Sequence, residues 1–226
     1  MQREMIAQIS LKNISKSYGS HLILKNIDLD IYEGDFICIF GKSGEGKSTL
    51  LNIIGTLENY DSGNLIICSK KNPIRSVKDT DLLRREKIAY LFQNFALVET
   101  MTVEENMMLA IKYSKVKDKA GCITSALRAM GVSDKLKSKV FELSGGEQQR
   151  VAMARNMVKP FDILLADEPT GSLDYENKMI VINSLIRLNN EGKTIVVVSH
   201  DKDFEQIAKT SYLIENAGIK KIKSIV

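Results

Sequence analysis

The sequence has no apolar run approaching the ~20 residues that a helix needs to cross a bilayer, and no signal peptide opens it. Its three cysteines, Cys38, Cys68 and Cys122, are odd in number and lack metal-ligand spacing, which favours reduced thiols. A net charge of +4 comes from 32 basic and 28 acidic residues that are well interspersed, so it does not demand a nucleic-acid partner. We therefore predict a soluble, intracellular protein that reaches a membrane only through a partner.

With 226 residues, 44% of them hydrophobic, the chain has enough apolar material for one large domain or two small ones. Residues 41–49 match the phosphate-loop pattern G-x-x-x-x-G-K-[ST] at every fixed position. Residues 36–40 are all apolar, as in a strand buried on both faces, and residues 49–54 are a plausible helix opening. A glycine turn that fits the pattern by chance is the alternative, and the flanking segments disfavour it. This context predicts a nucleoside triphosphate site.

The chemistry of this loop suits phosphate. Its glycines let the backbone approach phosphate oxygens, with N–H groups at the positive end of a helix. Lys47 would place a charge between the outer phosphates, and Ser48 would ligate Mg²⁺. The predicted binding residues here are Gly41, Lys42, Ser43, Gly44, Glu45, Gly46, Lys47, Ser48 and Thr49.

Three further apolar runs are typical of buried strands, and each leads into polar residues. They are 88–92 followed by Gln93, 162–168 ending in Asp167 and Glu168, and 194–199 followed by His200. Carboxyl ends of parallel strands meet at one edge of a sheet, so we expect these side chains beside the phosphate loop. Asp167 would hold Mg²⁺ through water, and Glu168 could activate the attacking water. Taken alone, Gln93 could simply start a loop, Asp167 and Glu168 could be surface charges, and His200 could be a structural histidine. That all of them follow predicted strands at the same edge of the sheet favours a site.

The remaining segments divide into strands and helices. Residues 9–14 and 22–31 predict two strands, with Tyr18 in the turn between them, where it could stack on a base or simply pack. Another short strand is expected at 65–68, and a polar surface connection with a short helix at 70–87.

Residues from about 94 to 160 read as helical. A capping box at Thr102 starts a helix whose apolar residues are Val103, Met107, Ile111 and Leu109. A second amphipathic run, 123–130, is closed by Gly131. The apolar residues of segment 95–101 could dock a partner or pack this subdomain's own core; they are Phe95, Ala96, Leu97, Val98 and Met101.

A second capping box, formed by Ser144 and Glu147, opens another helix. Gly145 and Gly146 leave its first turn bare, and a bare helix start with a serine hydroxyl can bind an anion. The alternative is an ordinary capped helix, but two adjacent glycines are poor helix residues and need another reason.

The order and spacing of these motifs resemble the ATP-binding subunit of an ABC transporter over nearly the whole chain. Residues 143–147 are similar to the family's signature sequence, which other phosphate-loop proteins lack. The resemblance implies an α/β fold with a phosphate-loop (RecA-like) core and parallel sheet, an antiparallel β subdomain and an inserted helical subdomain at about 94–160. Residues 1–226 would form a single nucleotide-binding domain.

The resemblance also assigns roles. Tyr18 matches the adenine-stacking aromatic, Gln93 the Q-loop glutamine, His200 the switch histidine and 172–174 the D-loop. The implied catalytic residues are Glu168, His200 and Gln93, and the implied metal ligands are Ser48, Gln93 and Asp167. Nucleotide contacts are further implied for Tyr18, Ser144, Gly145, Gly146, Glu147 and Asp174.

By the same resemblance, two subunits would meet head to tail on ATP, each signature covering the other's nucleotide, and drive a membrane permease docked near Gln93. Residues 148–152 and 167–174 look most like the macrolide and lipoprotein export branch, and 90–97 like ATPases of bacteriocin or antimicrobial-peptide exporters. Two residues depart from the family pattern. Glu45 puts a carboxylate in the phosphate loop, where we expect it to face solvent; the alternatives are that it weakens ATP binding or meets the partner subunit. Glu147 replaces the usual glutamine. Neither removes a catalytic group, so an active ATPase that uses ATP and Mg²⁺ is expected.

Other functions remain to be weighed. DNA-repair relatives carry a long coiled coil and translation-factor relatives two motor domains, whereas this sequence has neither sustained heptads nor a second phosphate loop. A kinase or GTPase would leave the signature unexplained. A mechanical ATPase, which drives a membrane protein for signalling or cell-wall regulation, is not separated from an exporter by the sequence.

Overall fold

The structure is a computed structural model that describes residues 6–112, 114–171 and 173–224. Within these ranges there are ten strands and seven α-helices. The strands are β1 Ile9–Tyr18, β2 His21–Ile31, β3 Phe36–Phe40, β4 Ser62–Ile67, β5 Lys70–Lys71, β6 Ile88–Leu91, β7 Ile163–Asp167, β8 Thr194–Val198, β9 Thr210–Glu215 and β10 Gly218–Ser224. The helices are α1 Lys47–Ile54, α2 Val77–Glu86, α3 Val103–Ile111, α4 Lys119–Ala129, α5 Gly145–Met157, α6 Tyr175–Asn190 and α7 Asp203–Ile207.

A six-stranded sheet in the order β10-β9-β3-β8-β7-β6 forms the centre of the molecule. The four predicted buried strands are adjacent and parallel in it, so the prediction of a parallel sheet is confirmed. Sequence analysis left β9 and β10 unassigned. β9 pairs parallel with β3, and β10 pairs antiparallel with β9 at the sheet's edge.

Alternate residues of the parallel strands feed two separate hydrophobic cores. Phe36 and Cys38 of β3 pack into the core shared with α3–α6, whereas Ile37 and Ile39 pack into the core shared with α1. Successive strand side chains point to opposite faces, so a strand covered on both sides must be apolar throughout. This explains the uninterrupted apolar runs of the sequence.

The predicted antiparallel subdomain is a four-stranded sheet in the order β2-β1-β4-β5, which packs on the α1 side of the parallel sheet. Tyr18 is the last residue of β1 and pairs with His21, so its placement in the turn was wrong by one residue. Cys68 was also wrongly assigned to a strand, because β4 ends at Ile67 and Cys68 has φ of 46°. Cys38, Cys68 and Cys122 are free thiols.

The helices between β6 and β7 begin and end largely as predicted. Thr102 and Glu105 complete the capping box of α3. The side chains of Val103, Met107 and Ile111, on one face of this helix, are buried. Leu109, the fourth apolar residue named for this helix, is 51% exposed. It lies on the helix face that turns away from the buried stripe. None of the helices within the described ranges is long and apolar enough to cross a membrane.

Candidate functional site

The phosphate loop connects β3 to α1, and the helix begins at Lys47, two residues earlier than predicted. Gly46 has φ of 93°, and a Cβ there would lie 2.7 Å from Cγ2 of Ile23. A larger residue would therefore meet both backbone strain and a side-chain clash. The loop backbone is held close against β2 by this glycine.

Lys47 and Ser48 stand at the start of α1 and face the carboxylates at the end of β7. Nζ of Lys47 donates to the carbonyl oxygens of Gly41, at 2.8 Å, and Lys42, at 3.0 Å. It also lies 4.0 Å from Oε1 of Glu168. Oγ of Ser48 donates to Oδ1 of Asp167 at 2.9 Å. The fold thus joins the loop to the two predicted acids.

A cavity of about 610 Å³ opens over the loop and gathers most of the predicted site residues. Its lining comprises Tyr18, Ile23, Gly41, Lys42, Ser43, Gly44, Gly46, Lys47, Ser48, Thr49, Gln93, Glu168, Gly171 and His200. Ile23 and Gly171 were not predicted from the sequence. Asp167 lines an adjoining hollow with Gln93. Glu45 is half-buried and lines another hollow, whose lining also includes His21 and Asn216.

Glu168 is held in one orientation by the residues that follow β8. Its Oε2 accepts from Oγ of Ser199 at 3.2 Å and lies 2.9 Å from Nδ1 of His200. The backbone of Glu168 has φ of 44°, a strained conformation of the kind found at functional sites. Oε1 is left facing the phosphate loop. Ser199 was missed in the sequence, although its place directly before His200 could have drawn attention to it.

Ser48 and Asp167 form a pair of oxygen donors suited to a hard cation such as Mg²⁺. Asp167 is 9% exposed, and burial raises the pKa of its carboxyl, with the nearby Glu168 adding to the effect and the Ser48 hydrogen bond opposing it. A buried carboxylate beside a second one gains most from a bound cation. The residues present therefore fit Mg²⁺.

Tyr18 stands at the rim of the cavity with its ring half exposed. Its hydroxyl donates to Glu58, and Nζ of Lys16 lies 5.0 Å from the ring centroid and 3.4 Å from Glu58. Burial is the larger cause that raises the pKa of this phenol, followed by the hydrogen bond to Glu58. Lys16 and Glu58 therefore hold the ring of Tyr18 in place at the rim. Neither was singled out in the sequence.

The residues of the signature do not line this cavity. Ser144 and Gly145 are exposed at the start of α5, where Ser144 completes the predicted capping box with Glu147. The backbone N–H of Ser144, and then Lys135 at 3.1 Å, lower the pKa of Glu147. A Cβ on Gly146 would lie 2.7 Å from Nδ2 of Asn177, so packing against α6 accounts for this glycine.

Gly145 has open space around its Cα, so packing does not account for it. Asp174 caps α6 by accepting from the N–H of Asn177 at 2.8 Å, and it also lies outside the cavity. Ser172, the first residue of the predicted D-loop, falls outside the described residues. The fold therefore separates the signature and Asp174 from the chain's own phosphate loop.

An ion-pair cluster lies behind the switch histidine. Nζ of Lys178, on α6, is 2.7 Å from Asp201 and 2.6 Å from Asp203. Asp201 accepts from Oγ1 of Thr170 at 3.0 Å, and its own N–H donates to Oγ of Ser199. The cluster thus connects α6 to the segment that holds Glu168.

A second concave surface, the basic groove, lies between α3, α5 and the β6 end of the sheet, with a volume of about 360 Å³. Its lining includes Leu57, Phe92, Val98, Leu109, Arg84, Arg155 and Lys159. The segment 95–101, whose role the sequence left open, divides here. Phe95 and Leu97 pack on the core, whereas Ala96 and Val98 are exposed in the groove.

Comparison with known proteins gives consistent relationships. A family model described as ABC transporter matches residues 24–171. The macrolide export ATP-binding/permease protein MacB of Campylobacter jejuni is 40% identical over 213 residues, which cover 93% of this chain and 33% of MacB. The uncharacterized ABC transporter ATP-binding protein YvrO of Bacillus subtilis is 40% identical over 219 residues, which cover 93% of this chain and 95% of YvrO. This chain thus spans about a third of the length of MacB and nearly all of YvrO.

Two solved structures share the whole fold. The dimeric structure of MJ0796, a bacterial ABC transporter cassette, superposes with a TM-score of 0.89 at 36% identity, covering 96% of this chain and 99% of that one. A dimeric post-hydrolysis state of MJ0796 bound to ADP and Pi superposes with a TM-score of 0.89 at 34% identity.

Proposed function

Since the chain belongs to the ABC transporter family, we propose that residues 1–226 form one nucleotide-binding domain that hydrolyses ATP and drives a separate membrane permease. The family resemblance seen in the sequence is confirmed by the matches to the family model and to YvrO. The observation that carries the proposal is the single cavity shared by Lys47, Glu168, Gln93 and His200. The protein would act in the cytoplasm, held to the inner face of the membrane by the permease.

Hydrolysis would depend on Glu168. Ser199 and His200 engage its Oε2, which leaves Oε1 facing the phosphate loop as the atom placed to accept a proton from water. Lys47 would turn its ammonium from the loop carbonyls to the outer phosphates, and Tyr18 would stack on the base. Mg²⁺, when bound, would neutralise charge on the phosphates, and Ser48, Asp167 and Gln93 would hold it.

A complete site would need two chains. Ser144 and Gly145 present a bare helix start to solvent, away from their own loop, where it can receive a phosphate held by a second copy. The comparison structure of MJ0796 is dimeric, which supports such an arrangement. ATP would then favour the closed dimer and hydrolysis would reopen it.

The permease would dock on the basic groove, which shares Phe92 with the hollow that Gln93 lines. The name of the MacB relatives, which includes both macrolide export and a permease, supports export of an antibiotic-like, peptide or lipoprotein substrate. Movement of Gln93 on nucleotide binding would reach the docked permease directly.

Changing Glu168 to Gln tests the catalytic assignment. The variant keeps the shape of the side chain but cannot take a proton, so ATP binding should persist while turnover falls by a factor of about 100 or more. Phosphate release at steady state and gel filtration with ATP measure the two effects, and a trapped dimer is expected. Turnover close to that of the unaltered protein would refute the role of Glu168.

Mixing two inactive variants tests the shared site. Ser144→Arg keeps its phosphate loop but blocks its signature, whereas Lys47→Ala keeps its signature but has a defective loop. A heterodimer of the two contains one intact site, so the mixture should recover part of the hydrolysis that neither variant shows alone. Normal hydrolysis by Ser144→Arg on its own would show that the site is not shared.

A further inference from the structure

The basic groove contains three cations that have no anionic partner among the described residues. Arg155 donates to the carbonyl oxygens of Phe95, at 3.0 Å, and Ala96. Lys159 donates to two carbonyl oxygens at 2.7 Å, and Arg84 to the carbonyl and hydroxyl of one threonine. Ion pairs occur elsewhere on the described surface, but none involves Arg84, Arg155 or Lys159.

Two of these cations are close together and partly removed from water. Arg155 and Lys159 are half-buried one turn apart, Arg155 on α5 and Lys159 just beyond its end. Burial, and then the charge of Arg155, lowers the pKa of Lys159 to about 8, and burial lowers the pKa of Arg155. Carbonyl oxygens satisfy their donors but leave their charges uncompensated. Two partly buried cations without an anion destabilise the fold, and a bound anion would stabilise them.

The surface beside the cations is apolar. Leu57 and Val98 are each 41% exposed and Leu109 is 51% exposed, and all three line the groove. A volume of about 360 Å³ is at the small end of ligand-sized pockets, so it admits a few side chains rather than a folded domain. The complementary surface is a short apolar segment that carries a negative charge. A lipid headgroup supplies the charge but has nothing to place against three exposed aliphatic side chains in a concavity.

We propose that the permease docks on the basic groove through a short segment whose apolar side chains surround one Asp or Glu, and that this carboxylate binds between Arg155 and Lys159. The proposal rests on the proposed function, which supplies the permease, and adds the chemistry by which it is recognised. A carboxylate there would compensate both cations while Leu57, Val98 and Leu109 cover its apolar flanks.

Zero-length crosslinking tests the contact directly. The full chain bound to membranes of its own cells is treated with a carbodiimide, which activates a carboxylate so that the Lys159 amine forms an amide and a urea leaves. Mass spectrometry should find Lys159 joined to an Asp or Glu in a cytoplasmic segment of a membrane protein. Lys159→Arg keeps the charge, so it should retain the membrane protein without that crosslink. Lys78 is an exposed lysine outside the groove and should give no such product.

Charge reversal gives an independent measurement. Lys159→Glu should weaken retention of the membrane protein on the order of 30-fold, as expected when one partner of a close charge pair is removed. Lys159→Gln should retain the membrane protein less well than the unaltered chain but better than Lys159→Glu. Lys78→Glu should retain it as the unaltered chain does. ATP hydrolysis by the isolated chain and its thermal unfolding report that each variant is folded.

The outcomes separate this proposal from the function on which it rests. If the unaltered chain retains no membrane protein, the proposed permease partnership fails, and this proposal with it. If it retains one that Lys159→Glu holds equally well, or if Lys159 yields no crosslink, the carboxylate contact is wrong and the permease partnership stands. If Lys159→Glu instead loses binding only to protein-free phosphatidylglycerol vesicles, the groove binds lipid and the proposal is overturned.

Discussion

Replacing Lys178 with Met should destabilise the protein and slow catalysis together. Among the residues that the structure describes, its ammonium is the only cation that forms an ion pair with Asp201 and Asp203, at 2.7 and 2.6 Å. The substitution keeps the length of the side chain but leaves the carboxylates of Asp201 and Asp203 without the cation that they share. It therefore removes charge while preserving most of the packing.

The exposure of the pair sets the size of the loss. The side chains of Lys178 and Asp201 each keep 19% of their surface exposed, between the fully exposed and fully buried limits. Exposed pairs contribute about 0–1 kcal/mol and loss of one partner of a buried pair costs about 3–5 kcal/mol, so we expect about 1–3 kcal/mol here. Arg187→Met, which breaks an exposed pair with Glu191, is the matched control and should cost about 0.3–0.5 kcal/mol.

The pH dependence has a definite sign. The hydrogen bonds that Lys178 donates to Asp201 and then to Asp203 raise its pKa, so its contribution to stability is complete below the unfolded pKa and is lost as pH rises through the folded value. Burial pushes the pKa of Asp201 up, but Lys178 and Thr170 outweigh it and the net pKa is lowered. Its contribution is present above the unfolded pKa and is lost as pH falls. The difference between Lys178→Met and the unaltered chain should therefore be largest between about pH 4 and 10.

Urea unfolding at pH 7 and at pH 3 measures the stability, and steady-state kinetics measure the function. Because Asp201 donates its N–H to Ser199, which donates to Glu168, kcat should fall severalfold with little change in the KM for ATP. Lys178→Arg should restore most of kcat. An equal loss of stability at both pH values, or a loss below about 0.5 kcal/mol at pH 7, would refute this account of the cluster.

Two further predictions concern single contacts. Lys47→Ala should weaken ATP binding at least tenfold. Tyr18→Ala should weaken binding less, and about equally for ATP and GTP, because stacking depends little on the edge of the base. Equal affinity of Lys47→Ala and the unaltered chain in a nucleotide titration would contradict the loop assignment. Asn106→Ala should lower the free energy of unfolding by about 2–4 kcal/mol, since its buried amide makes three hydrogen bonds to the backbone, two of them to Val98. The exposed Asn64→Ala is the control in urea unfolding, and a loss below about 1 kcal/mol for Asn106→Ala would count against the estimate.

The parallel core and the phosphate site could be predicted because their signals are local. A strand covered on both faces needs an unbroken apolar run, and residues 36–40 and 195–198 each supply one. β9 could not be predicted in this way, because Thr210–Glu215 mixes polar and apolar residues and only its pairing with β3 makes it a strand. The exposure of Leu109 has a related cause. Its apolar character fits a helix stripe, but α3 buries the stripe of Val103 and Met107 instead.

Contacts between distant charged residues were equally invisible in the sequence. Lys178 looks like an ordinary solvated residue of α6, and only the fold brings it to Asp201. That Arg155 and Lys159 lack carboxylate partners was not visible in the sequence either, because acidic and basic residues are interspersed along the chain. Pairing of charges is decided by the tertiary fold, whereas phosphate binding is decided by a contiguous loop.

The exposed first turn at Ser144 and the unpaired cation Arg155 lie at opposite ends of one helix, α5. α5 begins beside Ser144, with a bare and exposed first turn, and carries Arg155, one of the uncompensated cations, in its last turn. Its 13 residues span about 20 Å, and its buried middle fixes it within the helical subdomain. A rigid helix cannot shift at one end without moving the other. When a second chain's ATP closes onto Ser144, the movement would therefore displace Arg155 and the proposed partner in the basic groove. This would give nucleotide binding a physical route to the proposed permease.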